Sequence, residues 1–168
     1  MGNRPVLICY NGSDGARAAL EAAADAFDAP IVVATYWQPF GEPQGLFGID
    51  LLELVQDPGS VNDREQAQAQ LIAKEGAALV EAAGGSAEAR SVRVSTPIDE
   101  AILVHAEELD AAAIVLGSQS RSGLGSILLG NVASDVVQLS DRPVFVVPSA
   151  NLAGRRRTGR IAESGTSA

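Results

Sequence analysis

The residues best placed to do chemistry in this 168-residue chain are two glycines that flank a loop rich in serine and glycine. Gly117 ends the short apolar run at 114–116, and Gly130 precedes Asn131, where an amphipathic segment begins. Glycine lets backbone approach a ligand closely, and the free N–H groups at a helix start attract anions. The stretch therefore predicts a phosphate site between a strand and a helix.

Stricter phosphate motifs do not match this loop. Gly125 and Gly130 have the Walker spacing, but Asn131 stands where that motif needs lysine. The dinucleotide pattern G-x-G-x-x-G fails as well, because Gly123 and Gly125 would require a glycine at Leu128. No nucleophile elbow, cysteine pair or HExxH site is present. The sequence thus predicts no catalytic residue and no metal ligand.

The only histidine and the only cysteine of the chain both fall in apolar patterns. His105 lies on the apolar face of a helical segment and is predicted to be a core or boundary residue. Cys9 lies in an apolar run, which favours a packed thiol in a reducing cytoplasm.

Composition limits the class of protein. Hydrophobic residues make up 46% and charged residues 20% of the chain, as in an ordinary globular domain. No apolar run approaches the roughly 20 residues needed to span a bilayer, and no export signal is recognisable at the N-terminus. We therefore expect a cytoplasmic protein without membrane contact.

Charge is divided unevenly along the chain. The net charge is −9, yet residues 151–168 hold four of the arginines and one acidic residue. Residues 1–150 then carry eight basic and twenty acidic groups, a net charge of −12 that repels nucleic acid. We predict one domain over residues 1–150 and a basic, disordered tail over 151–168, with contact between the tail and an anionic partner as the alternative.

Five apolar runs alternate with helical patterns, which predicts an α/β fold with a mostly parallel sheet. Residues 5–10 and 31–37 are apolar at every position, as in strands covered on both faces. Residues 87–94 alternate arginine with valine, which is typical of an edge strand. The Pro- and Gly-rich connection 38–61 predicts a flap or a short helix around residues 49–56. Its large apolar side chains are expected to pack onto the body, with a lid, a dimer contact or a membrane-touching face as the alternatives; they are Leu46, Phe47, Leu51 and Leu54.

Three helix starts carry capping signals. Ser13 is predicted to cap the first helix, and Asn62 with Glu65 resembles a capping box for the second. Thr96 is predicted to cap the third helix with Pro97 at its first position. Ligands of parallel sheets bind beyond the carboxyl ends of the strands, which here are residues 10–11, 36–37 and 117–118.

Several linked segments resemble the universal stress protein family. Gly117, a loop of about a dozen residues and Gly130–Asn131 are similar to its signature G-x2-G-x9-G-(S/T), and the last strand RPVFVV is similar to its closing PVLVV. The stretches VLICYNGSDGARAAL and STPIDEAILVHAEELDAAAIVLGS resemble two further family segments. The resemblance covers roughly residues 5–148 and implies a doubly wound sheet of five parallel strands in the order 3-2-1-4-5.

The resemblance also implies an ATP site, with or without Mg²⁺. It places adenine beside Tyr36 and the backbone of Cys9 and Tyr10, with Asn11 near the phosphates or ribose. The phosphates would lie on the N–H groups at both ends of the loop. The implied nucleotide-binding residues are Cys9, Tyr10, Asn11, Tyr36, Gly117, Ser120, Gly130, Asn131, Val132 and Ala133.

Three positions depart from the family pattern. Ser120 replaces its second glycine, and Asn131 replaces a serine or threonine but can still cap the helix. Asn11 replaces an acidic residue and so lacks the charge that would help to hold a divalent cation.

The family implies a regulatory stress-response protein that binds ATP or a related adenine nucleotide and forms a homodimer through strand Pro143–Val147. The alternative is a non-nucleotide family member that acts as a dimeric protein-interaction module, which the departures at Ser120 and Asn11 favour. A nucleotide hydrolase is a third hypothesis, but the sequence offers no general base, so at most slow ATPase activity is expected.

Overall fold

The computed structural model describes residues 4–39, 58–118 and 130–149. Strands and helices alternate along these residues, and the strands form one parallel sheet in the order β3-β2-β1-β4-β5. The predicted strand order is therefore confirmed. The elements are β1 (Val6–Cys9), α1 (Asp14–Ala26), β2 (Ile31–Trp37), α2 (Pro58–Ala82), β3 (Ala87–Arg93), α3 (Ile98–Glu108), β4 (Ala113–Ser118), α4 (Asn131–Leu139) and β5 (Val144–Pro148).

The sheet is covered by helices on both faces, because successive side chains of a strand point to opposite sides. Ile8 of β1 belongs to the core under α1 and α2, whereas its neighbour Leu7 belongs to the core under α3 and α4. Both side chains are fully buried. Each such burial contributes about 1.5–3 kcal/mol, which explains why β1 is apolar at every position.

The two edge strands are protected differently. β3 is an edge strand, as predicted, and carries a charged pair in which Arg90 Nε lies 2.8 Å from Glu88 Oε1. β5 forms the other edge, and the ring of Phe145 packs edge-to-face on Phe27 at the end of α1 with centroids 5.2 Å apart. The β3 edge thus carries charged side chains, whereas an aromatic contact with α1 covers part of the β5 edge.

The predicted start of α4 at Asn131 is confirmed, and so is one of the three predicted helix caps. The Ser13 hydroxyl accepts a hydrogen bond from the Ala16 N–H at 3.3 Å and caps α1. The capping box prediction is wrong, since α2 begins at Pro58 and Asn62 and Glu65 lie inside the helix. Proline suits a helix start because it fixes φ and has no N–H to leave unpaired.

The predicted start of α3 is wrong by one residue. Pro97, not Thr96, is the N-cap, with ψ of 143° and no side-chain hydrogen bond to the helix. The extended ψ of Pro97 makes Ile98 the first helical residue. The cap is therefore a backbone conformation rather than a threonine hydroxyl.

The hypotheses on most of the 38–61 connection, on Ser120 and on the 151–168 tail fall outside the described residues. None of the helices in the described ranges is long and apolar enough to cross a bilayer.

Candidate functional site

A cavity of about 510 Å³ lies beyond the carboxyl ends of β1, β2 and β4, next to the first residues of α3 and α4. This is the place where open parallel sheets bind ligands. The cavity brings together nine of the ten predicted site residues: Cys9, Tyr10, Asn11, Tyr36, Gly117, Gly130, Asn131, Val132 and Ala133.

The cavity is also lined by five residues that the sequence analysis did not assign to the site: Ser13, Ala16, Ile98, Ile102 and Leu116. Ile98 and Ile102 lie on the same apolar face of α3 as His105. The helical spacing of these residues indicates a buried face, but it contains no signal that one end of that face borders a cavity.

Within the described residues, the first backbone N–H groups of α4 have no hydrogen-bond partner, and they border this cavity. Gly130 is the N-cap, with φ −57° and ψ 153°, and no side chain in the described ranges caps the helix. The first intrahelical hydrogen bond runs from Ser134 N to Gly130 O at 3.0 Å. The N–H groups of Asn131, Val132 and Ala133 therefore precede the helical hydrogen-bond ladder at the positive end of the helix dipole.

Asn131 does not cap α4, contrary to the sequence-based expectation. It is the first helical residue, and the cap position before it is occupied by Gly130. A glycine cap provides no side-chain oxygen, so the donors of the first turn remain available to an anion.

Gly117 lines the cavity, but the absence of its side chain has a packing cause. A Cβ at Gly117 would overlap the backbone of Gly15 and Ala16. In turn, a Cβ at Gly15 would overlap the carbonyl oxygen of Ser118. The first turn of α1 thus lies directly on the end of β4, and both glycines are required for that contact.

Asn11 forms the turn between β1 and α1. Its Oδ1 accepts a hydrogen bond from the Ser13 N–H at 3.1 Å, and Gly12 follows with φ of +76°. Positive φ is unstrained for glycine, and an asparagine oxygen commonly closes such turns. Within the described ranges, no group of three or more His, Cys, Asp or Glu side chains is arranged to hold a metal ion.

Tyr10 lines the cavity, yet its ring packs in the core on the α1 and α2 side of the sheet. The ring is 1% exposed and lies against Gly76, where a Cβ would come within 2.7 Å of the ring. Its hydroxyl donates to Glu75 Oε1 at 3.0 Å. Burial and Glu75 raise the pKa of Tyr10. The phenol is thus engaged by α2.

Cys9 and Tyr36 form the end of the cavity that lies toward the core of α3 and α4. Burial raises the pKa of the Cys9 thiol to about 12, so the thiol stays protonated and is a poor nucleophile. Burial also raises the pKa of Tyr36. This end of the site therefore carries no charge at neutral pH.

His105 lies behind Tyr36 on α3 and is 6% exposed, which confirms its predicted place on the packing face. Its Nδ1 is 2.9 Å from the Tyr36 hydroxyl oxygen. Burial, and secondly Arg90, lower the pKa of His105 below its ordinary value. The sequence had no signal for this pair, because the two residues are 69 positions apart.

Similarity to known proteins agrees with this architecture. The Universal stress protein family matches residues 2–148. Universal stress protein YxiE of Bacillus subtilis (strain 168) is 39% identical over 82 residues, which are 45% of this chain and 55% of that protein. The matched segment thus spans little more than half the length of this relative.

Solved structures share the fold at low identity. A universal stress protein from Archaeoglobus fulgidus superposes with a TM-score of 0.67 at 24% identity, over 85% of this chain and 97% of the other. The A. fulgidus universal stress protein in complex with dAMP superposes with a TM-score of 0.59 at 21% identity, over 88% and 99%. These likenesses show the fold, while the family match over residues 2–148 shows descent: the chain belongs to the universal stress protein family.

Proposed function

We propose that this protein binds an adenine nucleotide in the cavity and acts as a regulatory stress-response protein. The observation that carries the proposal is the uncapped start of α4, whose free N–H groups border a cavity of about 510 Å³. Cavities of this size accommodate small ligands. The base lies toward Cys9 and Tyr36, and the phosphates lie on the helix start.

Solved proteins of the same fold support the choice of ligand. Their structures contain dAMP, cAMP or AMP. For this chain we propose ATP as the nucleotide, with or without Mg²⁺. The Asn11 carboxamide oxygen is already bonded to the Ser13 N–H, so a cation would depend chiefly on the phosphate oxygens.

We further propose a cytoplasmic homodimer that pairs through Pro143–Val147. β5 is an edge strand, and Phe145 within it is 46% exposed. An apolar edge strand is a template for pairing with another chain. Residues 1–150 form the domain in this proposal, and residues 151–168 form a basic tail outside it.

The proposed activity is binding and not efficient turnover. Among the described residues, the side chains that line the cavity include a thiol and phenols with raised pKa values and no carboxylate or imidazole. None of these groups is a general base near neutral pH. Any ATP hydrolysis is expected to be slow.

Calorimetry tests the proposal with ATP, AMP and cAMP, each with and without Mg²⁺. Mass spectrometry of small molecules released from the purified protein identifies any ligand that co-purifies with it. We expect heat of binding for at least one of the three. No heat and no shift of the melting temperature at millimolar nucleotide would contradict the proposal.

The variant Gly130→Ala tests whether the start of α4 binds the phosphates. A Cβ at Gly130 meets no atom within 4 Å, so the fold tolerates it, but the methyl group enters the space at the helix start. We expect about tenfold weaker nucleotide binding, with a stability change within about 1 kcal/mol. Val137→Ala is the matched control, because Val137 lies on the same helix, 46% exposed and outside the cavity lining.

The second candidate is a dimeric protein-interaction module without nucleotide. Apolar side chains on α4 favour it, since Val137 is 46% and Leu139 is 66% exposed. It predicts a protein partner that remains bound when the cavity holds no nucleotide. Nucleotide binding that is weakened about tenfold in Gly130→Ala and unchanged in Val137→Ala favours the first candidate over the second.

A further inference from the structure

Tyr36 and His105 form a buried polar pair at the base end of the cavity. The hydroxyl oxygen of Tyr36 lies 2.9 Å from His105 Nδ1, and the rings meet edge-to-face with centroids 5.9 Å apart. Tyr36 lines the cavity, whereas His105 is not among the lining residues. Tyr36 is thus the lining residue through which His105 can affect a ligand.

The direction of this hydrogen bond depends on the protonation state and on the tautomer of His105. The ring is buried and feels the positive charge of Arg90 on β3, and both effects disfavour the imidazolium form. Glu88 on β3 and Glu108 on α3 oppose them with smaller effects. In the Nε2–H tautomer of the neutral imidazole, Nδ1 is an acceptor, and the Tyr36 hydroxyl then donates its only proton to His105.

Among the described residues, Cys9 on β1 also contacts the Tyr36 hydroxyl, with a side-chain hydrogen bond between the two. A thiol is a weak hydrogen-bond partner both as donor and as acceptor, so an N–H group of a ligand can compete with it for the phenol oxygen. When the Tyr36 proton is donated to His105, the phenol oxygen is a hydrogen-bond acceptor.

We propose that His105 is a positioning residue for base selection: by accepting the Tyr36 hydroxyl proton at Nδ1, it makes the phenol oxygen an acceptor that prefers a purine with a 6-amino group. The inference rests on the proposed nucleotide site and adds the group that discriminates between bases.

The chemistry of the two purine classes gives the sign of the effect. A 6-amino group donates a hydrogen bond to the phenol oxygen. A 6-oxo group presents lone pairs to the same oxygen, and the Tyr36 proton cannot turn toward it without leaving His105 unpaired. A site built on hydrogen bonds rejects the analogue that leaves its polar groups unmatched. We expect AMP to bind about tenfold more tightly than IMP.

The test compares AMP with IMP by calorimetry at pH 8 in the full chain and in three variants. His105→Asn keeps an acceptor near the position of Nδ1 and is expected to retain the preference. His105→Leu removes the acceptor and frees the Tyr36 proton, so the preference should fall to about twofold or less. Val104→Ala, next to His105 on α3 and 49% exposed, is the control and should behave as the unchanged chain.

A second measurement does not need a ligand. His105 is the only histidine, so its imidazole ¹⁵N signals are assigned without ambiguity. We expect the Nε2–H tautomer at pH 8, because Nδ1 accepts from Tyr36. The Nδ1–H tautomer would overturn the inference whatever the nucleotide results.

The outcomes separate the two proposals. Equal affinity for AMP and IMP in the unchanged chain, with no change in His105→Leu, overturns the role of His105 and leaves nucleotide binding intact. Binding of neither AMP nor IMP overturns the role of His105, and it overturns nucleotide binding as well if ATP and cAMP also give no heat. A preference for AMP that is lost in His105→Leu and kept in His105→Asn supports the inference, since a merely structural role would not be rescued by asparagine.

Discussion

Gly117 and Gly130 flank the same cavity, but they are glycines for different reasons. At Gly117 a side chain would overlap the backbone of α1, whereas at Gly130 it would meet nothing within 4 Å. The first glycine permits two segments of the protein to touch, and the second leaves a helix start without a side-chain cap. One residue type thus serves packing at one end of the loop and ligand access at the other.

The difference shows what a glycine pattern can establish. The spacing indicates that both positions need a small residue. It does not tell why, because a tight backbone contact and an open anion site both select glycine. Only the identity of the neighbouring atoms separates them. Substitutions at the two positions should therefore affect different properties of the protein.

The largest effect is expected for Gly117→Ala. Its methyl group would overlap the backbone of Gly15, which cannot rotate away as a side chain can, so we expect a loss of about 3 kcal/mol or failure to fold. Urea denaturation measures the loss, with Gly130→Ala as the matched glycine control. An unfolding midpoint equal to that of the unchanged chain would show that Gly117 is not a packing residue.

Gly130→Asp should move stability and binding in opposite directions. An aspartate N-cap accepts from the free N–H groups of α4 and complements the helix dipole, which adds about 0.5 kcal/mol of stability. The same carboxylate repels a phosphate about 4 Å away, and we expect roughly hundredfold weaker nucleotide binding. Thermal melting and calorimetry measure the two effects.

Gly130→Asn separates capping from charge, because it offers a cap of the same shape without the charge. Its binding should fall less than that of Gly130→Asp. Equal nucleotide affinity in Gly130→Asp and the unchanged chain would exclude the start of α4 as the phosphate site.

A similar contrast separates Tyr10 from Tyr36. The Tyr10 hydroxyl donates to Glu75 on α2, on the side of the sheet opposite α3 and α4. Tyr10→Phe should therefore cost about 1 kcal/mol of stability and leave nucleotide affinity unchanged. Denaturation and calorimetry on Tyr10→Phe check this, and a loss of affinity would show that the phenol, and not only the backbone of Tyr10, serves the site.

The smallest effect concerns pH. The pKa of His105 in the folded protein lies below its ordinary value of 6.5, so the unfolded chain binds a proton more readily. The free energy of unfolding should decrease as the pH falls below about 6.5 and stop decreasing once the pH is below the folded pKa. Denaturation at several pH values measures this pH-dependent part of the free energy of unfolding, which should be absent from His105→Asn. A component that persists in this variant would have to come from other groups.

Much of the fold was predictable because it depends on extended patterns. Runs that are apolar at every position specify strands buried on both faces, and the charged alternation near Arg90 specifies an edge. The strand order came from resemblance to the family, and the structure confirms it. Helix starts were less predictable, since α2 begins at Pro58 and α3 is capped by the backbone conformation of Pro97, where polar side chains were expected.

The candidate site was predictable where strand ends define it and unpredictable where distant side chains meet. Nine of the ten predicted residues border one cavity, because parallel strands bring their carboxyl ends together. The contact between Gly15 and Gly117 and the pair Tyr36–His105 join residues far apart in sequence. Such contacts have no local pattern, so a single sequence cannot reveal them.

The contact between α1 and β4 also limits how the protein can evolve. Each of its two glycines faces main-chain atoms, so no substitution at the other position can compensate for a side chain at the first. The Cys9, Tyr36 and His105 end consists of side chains, which mutation can exchange without moving the backbone. Descendants of this protein can therefore change their base preference far more easily than they can alter the contact between α1 and the end of β4.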